Sequence, residues 1–518
     1  MTDYKAEYLA LKKELQKKQL QLAAKELQLS EKNQVIEKLE GRLGELLDAL
    51  KLSQKHRFGK KSEKGSPEEE ASLPEKDRIF DEPEIEEKTE KTSLKPDTKK
   101  ATGGRKPLPK ELPRKEIIHD IPEDQKICSC GHPLHKIGQE TSEQLEVIPA
   151  KVVVHRHTRL RYGCNACQDT VLIAKGTAQP IPKSMSSASL LAHIMVAKYD
   201  DHLPLYRQSE IWQRAGVDLD RSTLGRWVIK CGKLLEPLVE KMHERMLADG
   251  YLQADETSVQ VIGEKNRKNT SKSYMWAYKT GGNKKFKVVY EYAPERSAAV
   301  ASSFLGNFKG VLQSDGYSGY KRVCKDADGK IQSAGCWAHA RRKFFEVASM
   351  SKKPTVSQAM IEKIKALYSI EKEALTKDLQ PDQVRQLRQE KAVPLLADIK
   401  NFLEKYRSKV PPKSGLGKAI NYSLRQWDEL TFYVQDGRVA IDNNAVERCI
   451  RPFAVGRKNW LFKGSVAGAK AGAVIYSLLE TAKSHDLNPY DYFADILKKI
   501  PAGLPLENLL PYSWKTPE

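Results

Sequence analysis

Beyond Gly250 the segments YLQADETSVQVI, SYMWAYK and FKVVYEY follow one another, each rich in the β-branched and aromatic residues of strands. A helix near Ser297 to Phe304 comes next, then GVLQSD as a strand, a short helix, IQSAGCW as a strand, and the helix HARRKFFEVA. Three consecutive strands followed by strand and helix alternation confine this region to a single mixed sheet flanked by helices.

That order predicts an α/β, ribonuclease H-like domain over residues 250–484, interrupted at about 351–427 by polar helices broken at Pro381, Pro394, Pro411 and Pro412. The chain of 518 residues exceeds one ordinary domain and reads as multidomain. Residues 1–61 carry a heptad line, Tyr8, Leu15, Leu22, Leu29, Ile36, Leu43 and Leu50, which predicts a coiled coil and self-association as a homo-oligomer. Lys18, Lys25 and Lys32 on a flanking line narrow the seam, so a single solvated helix is the competing reading. Residues 62–126, dense in Glu, Lys and Pro, read as a flexible linker. Residues 127–175 read as a small zinc-ribbon-like module, 184–249 as a helical, helix-turn-helix-like region, and 485–518 as a C-terminal tail.

Lys and Arg number 88 against 68 Asp and Glu, a formal charge of +20 that favours a polyanionic partner such as double-stranded DNA over a neutral one. No apolar run approaches the roughly 18 residues of a membrane span, so no membrane partner and a cytoplasmic location are expected.

Asp255 lies within the first predicted strand and Asp315 closes GVLQSD, so neighbouring strand ends can bring the two together. Glu447 falls in DNNAVERCIR, a brief helix expected to end at Pro452 and to aim the acid at the sheet. Three such carboxylates suit two Mg²⁺ or Mn²⁺ ions about 3.5–4 Å apart, the arrangement that displaces phosphodiesters. Each acid also has a duller explanation. Asp315 in SDGYSG can open a turn, Asp255 can end a strand, and Asn444 to Glu447 has the spacing of a capping box.

Cys128, Cys130, Cys164 and Cys167 form two close pairs suited to tetrahedral Zn²⁺, although Cys128-Ser-Cys130 is tighter than the usual two-residue gap. His132, His135, His155 and His157 can replace one ligand. Arg221, Ser222, Thr223 and Arg226 open the second helix of the helix-turn-helix-like pair, where DNA would be met, while Trp227 belongs to its core. His339, Arg341 and Arg342 begin a helix after a predicted strand, and Arg448, Arg451, Arg457, Lys458 and Lys463 crowd around Glu447. These cations are read as DNA contacts, against plain solvated helix faces or a Glu447–Arg451 pair one turn apart.

Taken together, QADETSV, SDGYSGY, GCWAHARRKFF and DNNAVERCIRPFAVGRKNWLF resemble the large transposase of the insertion sequence 66 family, a branch of the DDE transposases. The likeness extends to HRFGKKSEK, LPLYRQSEIWQRAGVDLDRSTLGRW and the tail from NPYDYFADILKKI to LLPYSW. Ser258 stands where that family commonly has Pro. The resemblance implies a ribonuclease H-like catalytic domain with Asp255, Asp315 and Glu447 as the metal-binding triad. It implies cleavage at element ends and attack of the freed 3′-hydroxyl on target DNA. It also implies a bacterial, nucleoid-associated setting, a DNA-binding role for the ribbon, and small accessory transposition proteins. Two other readings compete: a structure-selective nuclease of the same fold, separated by its failure to join strands, and a non-catalytic DNA-binding regulator, separated by its indifference to Asp315→Ala.

Overall fold

A computed structural model describes residues 152–163, 171–281, 285–350 and 355–516, with three isolated helical positions at Lys18, Lys25 and Lys32. The expected heptad seam, the linker, and Cys128, Cys130, Cys164 and Cys167 lie outside the described residues. Contacts divide the chain into a unit spanning Ser62–Thr158 and a second made of Met1–Lys61 and Arg159–Glu518. Of the first, residues 152–158 are described, as exposed chain without regular secondary structure.

In the second unit, β1 (Arg161–Gly163) pairs antiparallel with β2 (Val171–Ile173), and the connection between them carries Cys164 and Cys167. Three helices follow. Ser187 caps α1 (Ala188–Tyr199) by accepting the Leu190 N–H. The short α2 (Leu205–Arg214) begins after Pro204, and Asp220 caps the long α3 (Arg221–Leu247) through the Ser222 N–H at 2.9 Å. Leu224, Trp227, Val228, Cys231, Leu235 and Leu238 share the buried face of α3, as their helical spacing requires, and Leu234 is half-buried beside them.

The sheet runs in the order β5-β4-β3-β6-β7. β3 (Tyr251–Gln260), β4 (Lys272–Thr280) and β5 (Val288–Ala293) form an antiparallel meander, and β6 (Gly310–Gln313) and β7 (Ile331–Ala334) add on in parallel. The parallel steps need crossovers, supplied by α4 (Ala298–Leu305) and α5 (Ser318–Asp326). Alternation sorts the side chains. Trp276 and Tyr278 face α4 and α5, where Tyr278 stacks on Phe304 at 3.6 Å and Trp276 meets the edge of Tyr320. Ala277, and its cross-strand partners Asp255 and Tyr290, face the other way, where Tyr290 donates to the Cys449 carbonyl of α12 (Asn444–Trp460). Next to α12, α13 (Val466–Ser484) crosses α3 so closely that a Cβ on Gly232 would lie 2.5 Å from that of Ala471, which only glycine avoids. The C-terminal α14 (Pro489–Lys499) packs its Phe493 and Ile496 into the same core.

After α6 (Trp337–Ala348) a second core forms. Trp337 and Phe344 pack with Met360, Ile364 and Leu367 of α7 (Val356–Thr376) and with Leu396, Ile399 and Leu403 of α9 (Val393–Arg407). Prolines do not end helices here: Pro381 starts α8 (Pro381–Leu387), and Pro394 follows a π-helical turn at Arg388–Ala392 that joins α8 to α9 in one continuous run. Helical structure continues past residue 427 through α10 (Gly415–Arg425), α11 (Trp427–Thr431) and a 3₁₀ turn at Phe432–Val434. Buried Arg388 holds the returning chain by donating to the carbonyls of Tyr433, Asp436 and Val439 while pairing with Glu371.

Candidate active site

The centre of the sheet carries a buried polar network on the face opposite Trp276 and Tyr278. Gln253 of β3 and Gln313 of β6 are register partners, and Gln253 Nε2 donates to Gln313 Oε1 at 2.8 Å. Tyr251 Oη also donates to Gln313 Oε1 and accepts the Ala440 N–H at 3.0 Å. Gln313 Nε2 reaches the carbonyls of Gly335 at 2.9 Å and Ala440 at 2.7 Å, and Gln253 Nε2 that of Asp442 at 3.1 Å. The segment leading into α12 is thereby laid across the strand ends.

The acids follow from that register. Asp255 and Asp315 each lie two residues beyond the last register pair, Gln253↔Gln313, Asp255 within β3 and Asp315 just past the end of β6. The Asp255 carboxyl is held well above the usual carboxylate range, first by burial and then by Glu447, Glu256 and Asp315. Burial likewise pushes Glu447 up to about 7 against the nearby Arg342 guanidinium, with Asp442 and Asp315 adding to the rise. Asp315 Oδ1 accepts the Tyr317 N–H at 2.9 Å, an Asx turn, and its Oδ2 lies 3.9 Å from Arg296. Glu256 faces the opposite side of β3, where Tyr320 donates to it at 2.6 Å and Arg296 pairs with it.

Glu447 stands in the first turn of α12, which does not stop at Pro452 but runs on to Trp460. Its Oε1 lies 3.6 Å from His339 Nδ1 of α6. Both atoms are buried and have no hydrogen-bond partner, as are both amide atoms of Asn443. Among the described residues, Cys336, His339 and Glu447 are the one set of three metal-capable side chains whose ligand atoms all lie within 4.8 Å of each other. The triangle of Asp255, Asp315 and Glu447 is wider. His339 therefore sits at the third acid rather than on an open basic face, and burial, then Arg342, lowers its pKa to about 4.

The remaining cations divide. Arg221, Ser222 and Arg226 are exposed at the start of α3, with the Ser222 hydroxyl and N–H turned to Asp220 and Arg226 donating to half-buried Thr223 at 2.9 Å. Arg341 and Arg342 are half-buried on α6, and Arg448, Arg451 and Lys458 are exposed on α12. Arg457 is drawn into the fold, donating to Thr257 Oγ1 at 3.1 Å and to the Ser258 carbonyl. Lys463 does not join the cations around Glu447. It is 5% exposed, its chain bridges to Val261, and its ammonium lies 4.0 Å from the Trp460 ring centroid and 5.2 Å from that of Tyr199. Its four methylenes and the aromatic rings explain the burial, which pushes its pKa well below the ordinary value.

Gln253, Gln313, Tyr251 and Cys336 were not singled out by the sequence reasoning. A signal for the glutamines was present: Gln253-Ala-Asp255 and Gln313-Ser-Asp315 repeat one spacing, and period-two alternation puts Gln and Asp on one face.

Comparison with known proteins is consistent along the chain. Residues 183–471 match the family described as "Transposase IS66 family", and 477–512 match its "IS66 C-terminal element". Residues 125–168 match a "zinc-finger binding domain of transposase IS66", and 45–117 a "Transposase C of IS166 homeodomain". Two uncharacterized proteins of Sinorhizobium fredii are similar: y4jD, 36% identical over 79% of this chain and 81% of its own length, and y4qI, 34% identical over 99% and 96%. No helix among the described residues is long and apolar enough to cross a membrane. With more than half its length matched, the chain belongs to the IS66 transposase family.

Proposed function

We propose that this transposase cleaves the ends of its element and joins the freed 3′-hydroxyl to target DNA, using Asp255, Asp315 and Glu447 to hold two Mg²⁺ or Mn²⁺ ions in a ribonuclease H-like domain. The observation that carries this reading is that Asp255 and Asp315 each follow the Gln253↔Gln313 register pair by two residues, and that Glu447 and Asp315 are both among the charges that raise the Asp255 carboxyl. The donor set fits hard divalent cations. Burial and neighbouring carboxylates push Asp255 and Glu447 upward, and Glu447 Oε1 has no hydrogen-bond partner, features that a bound cation would relieve.

Bound there, the ions supply Lewis-acid stabilisation of the attacking and leaving oxygens. The chain's own residues position and neutralise. The glutamine network fixes the strand ends, and Arg342 and Arg448 set positive charge near Glu447, where DNA phosphates would approach. Exposed Arg221, Arg226, Arg448, Arg451 and Lys458 supply further phosphate contacts, and the cysteine module a zinc site, if the ribbon's Cys128, Cys130, Cys164 and Cys167 bind metal as the matched family's description suggests.

The test is purified full-length protein with Mg²⁺, a duplex carrying the element's terminal repeat, and a supercoiled target. Covalent joining of the cleaved end to the target supports the reading, whereas cutting of branched substrates without any joined product makes the protein a nuclease.

A further inference from the structure

The site holds a second set of donors that phosphodiester chemistry does not call for. Cys336 closes the β7–α6 turn and His339 lies in the first turn of α6, three residues on, so one helical turn brings sulfur and imidazole to the same side. Glu447 meets them from α12, with Oε1 3.6 Å from His339 Nδ1. The three ligand atoms fall within 4.8 Å of one another, and a tetrahedral ion with ligand bonds of roughly 2.0–2.3 Å asks for separations of roughly 3.3–3.6 Å, a small rotamer adjustment away. Cys336 is 1% exposed, and burial, then Asp442, holds its thiol well above the ordinary value against the backbone N–H groups of Asn443 and His339, so a cation is what would draw its proton off. His339 Nδ1 and Glu447 Oε1 are both buried and unpartnered, so each has a lone pair or proton with nothing to meet.

We infer that Cys336, His339 and Glu447 form a separate site for a thiophilic divalent cation of the zinc class, and that occupying it takes Glu447 away from the magnesium centre and stops DNA cleavage. A thiolate and an imidazole select Zn²⁺, Cd²⁺ or Co²⁺ and are poor ligands for Mg²⁺, so the two sites differ in kind although they share one carboxylate. On binding, the Cys336 thiol loses its proton to solvent, and the thiolate with the Glu447 carboxylate neutralises the ion. Entry is from the His339 and Glu447 side, where the side chains are 22% and 17% exposed. The inhibitory half rests on the proposed magnesium chemistry, but the metal site itself does not.

Cadmium is the probe. Full-length protein, its His339→Gln and Cys336→Ser variants, and Asp255→Asn are each equilibrated with Cd²⁺ and the bound metal counted, with the thiolate-to-metal absorption recorded. The cysteine ribbon contributes equally to all four. Wild type and Asp255→Asn should bind one more equivalent than His339→Gln and Cys336→Ser, and circular dichroism of His339→Gln guards against loss of fold at the buried cysteine. Equal counts in wild type and folded His339→Gln overturn the site. Micromolar Zn²⁺ added to the Mg²⁺ reaction should slow cleavage at least tenfold, and persistence of full activity with the extra equivalent bound overturns the inhibitory half. Should Asp255→Asn cleave as wild type does while the cadmium count stands, the magnesium reading fails and the new site survives.

Discussion

Gln253 donates to Gln313 across the two central strands at 2.8 Å, and the same Gln313 donates onward to the Ala440 carbonyl at 2.7 Å, tying the chain before Glu447 to the strands that lead to Asp255 and Asp315. A buried amide that meets its partners in this way fixes geometry, because each alternative position leaves a polar group unsatisfied. Replacing Gln313 with Ala takes the partner from the Tyr251 hydroxyl proton and from the Gly335 and Ala440 carbonyls, three groups at about 1 kcal/mol or more each, so we expect a loss of at least about 3 kcal/mol in denaturant unfolding and a deeper loss of cleavage than of DNA binding. A Gln313→Ala protein as active as wild type would show that the network does not position the acids.

Tyr368 of α7 donates to Asp442 Oδ2 at 2.8 Å, the link by which the helical region reaches the active-site segment. Tyr368→Phe removes that hydroxyl alone. It should cost about 1 kcal/mol of stability and reduce cleavage severalfold with DNA affinity unchanged, read by gel shift and single-turnover cleavage in parallel.

Arg457 and Arg226 test the division between a structural cation and the DNA contact proposed for α3. Arg457 is committed to Thr257 and Ser258, whereas Arg226 is exposed at the start of α3. Arg226→Ala should lower the slope of log affinity against log salt by about 0.9, the signature of one lost phosphate contact. Arg457→Ala should instead lower Tm and leave that slope as it was; a changed slope would return Arg457 to the DNA interface.

Glu447 titrates at about 7 in the folded chain against an ordinary 4.5. Its folded pKa is the higher one, so its contribution to metal-free stability is complete below about pH 4.5 and is lost as pH rises through about 7. His339 runs oppositely: lowered from 6.5 to about 4, it contributes above 6.5 and loses that contribution as pH falls through about 4. Of these two, only the acid titrates between pH 6.5 and 8. Mg²⁺ competes with its proton there, so the cation should raise Tm more at pH 8 than at pH 6, and this difference should flatten in Glu447→Gln. Equal shifts at both pH values in wild type would contradict the assignment.

How far the sequence reveals this depends on what each pattern encodes. The three meander strands are legible from their β-branched and aromatic runs, which suit strands buried on both faces, and the buried face of α3 from helical spacing. That Asp255 and Asp315 both follow a Gln253↔Gln313 pair needs the parallel register, which no local pattern carries. Lys463 was misplaced because a charged head suggests solvent, while its surroundings of Tyr199, Phe453 and Trp460 assemble from three separate segments. Pro452 does not end α12 for a related reason: packing of Ile450 before it and of Phe453 and Trp460 after it outweighs the missing hydrogen bond. Cys336 passed unremarked since a cysteine at a strand end carries no sign of a glutamate met more than a hundred residues later.

The most direct test of the magnesium centre is single-turnover cleavage of an element end by Asp255→Asn, Asp315→Asn and Glu447→Gln, each checked for folding and DNA binding. Each is expected to bind the end as wild type does and to cleave it at least roughly 10²–10³-fold more slowly in Mg²⁺. Wild-type cleavage by any one of the three, with DNA binding intact, would contradict a shared metal site built on these acids.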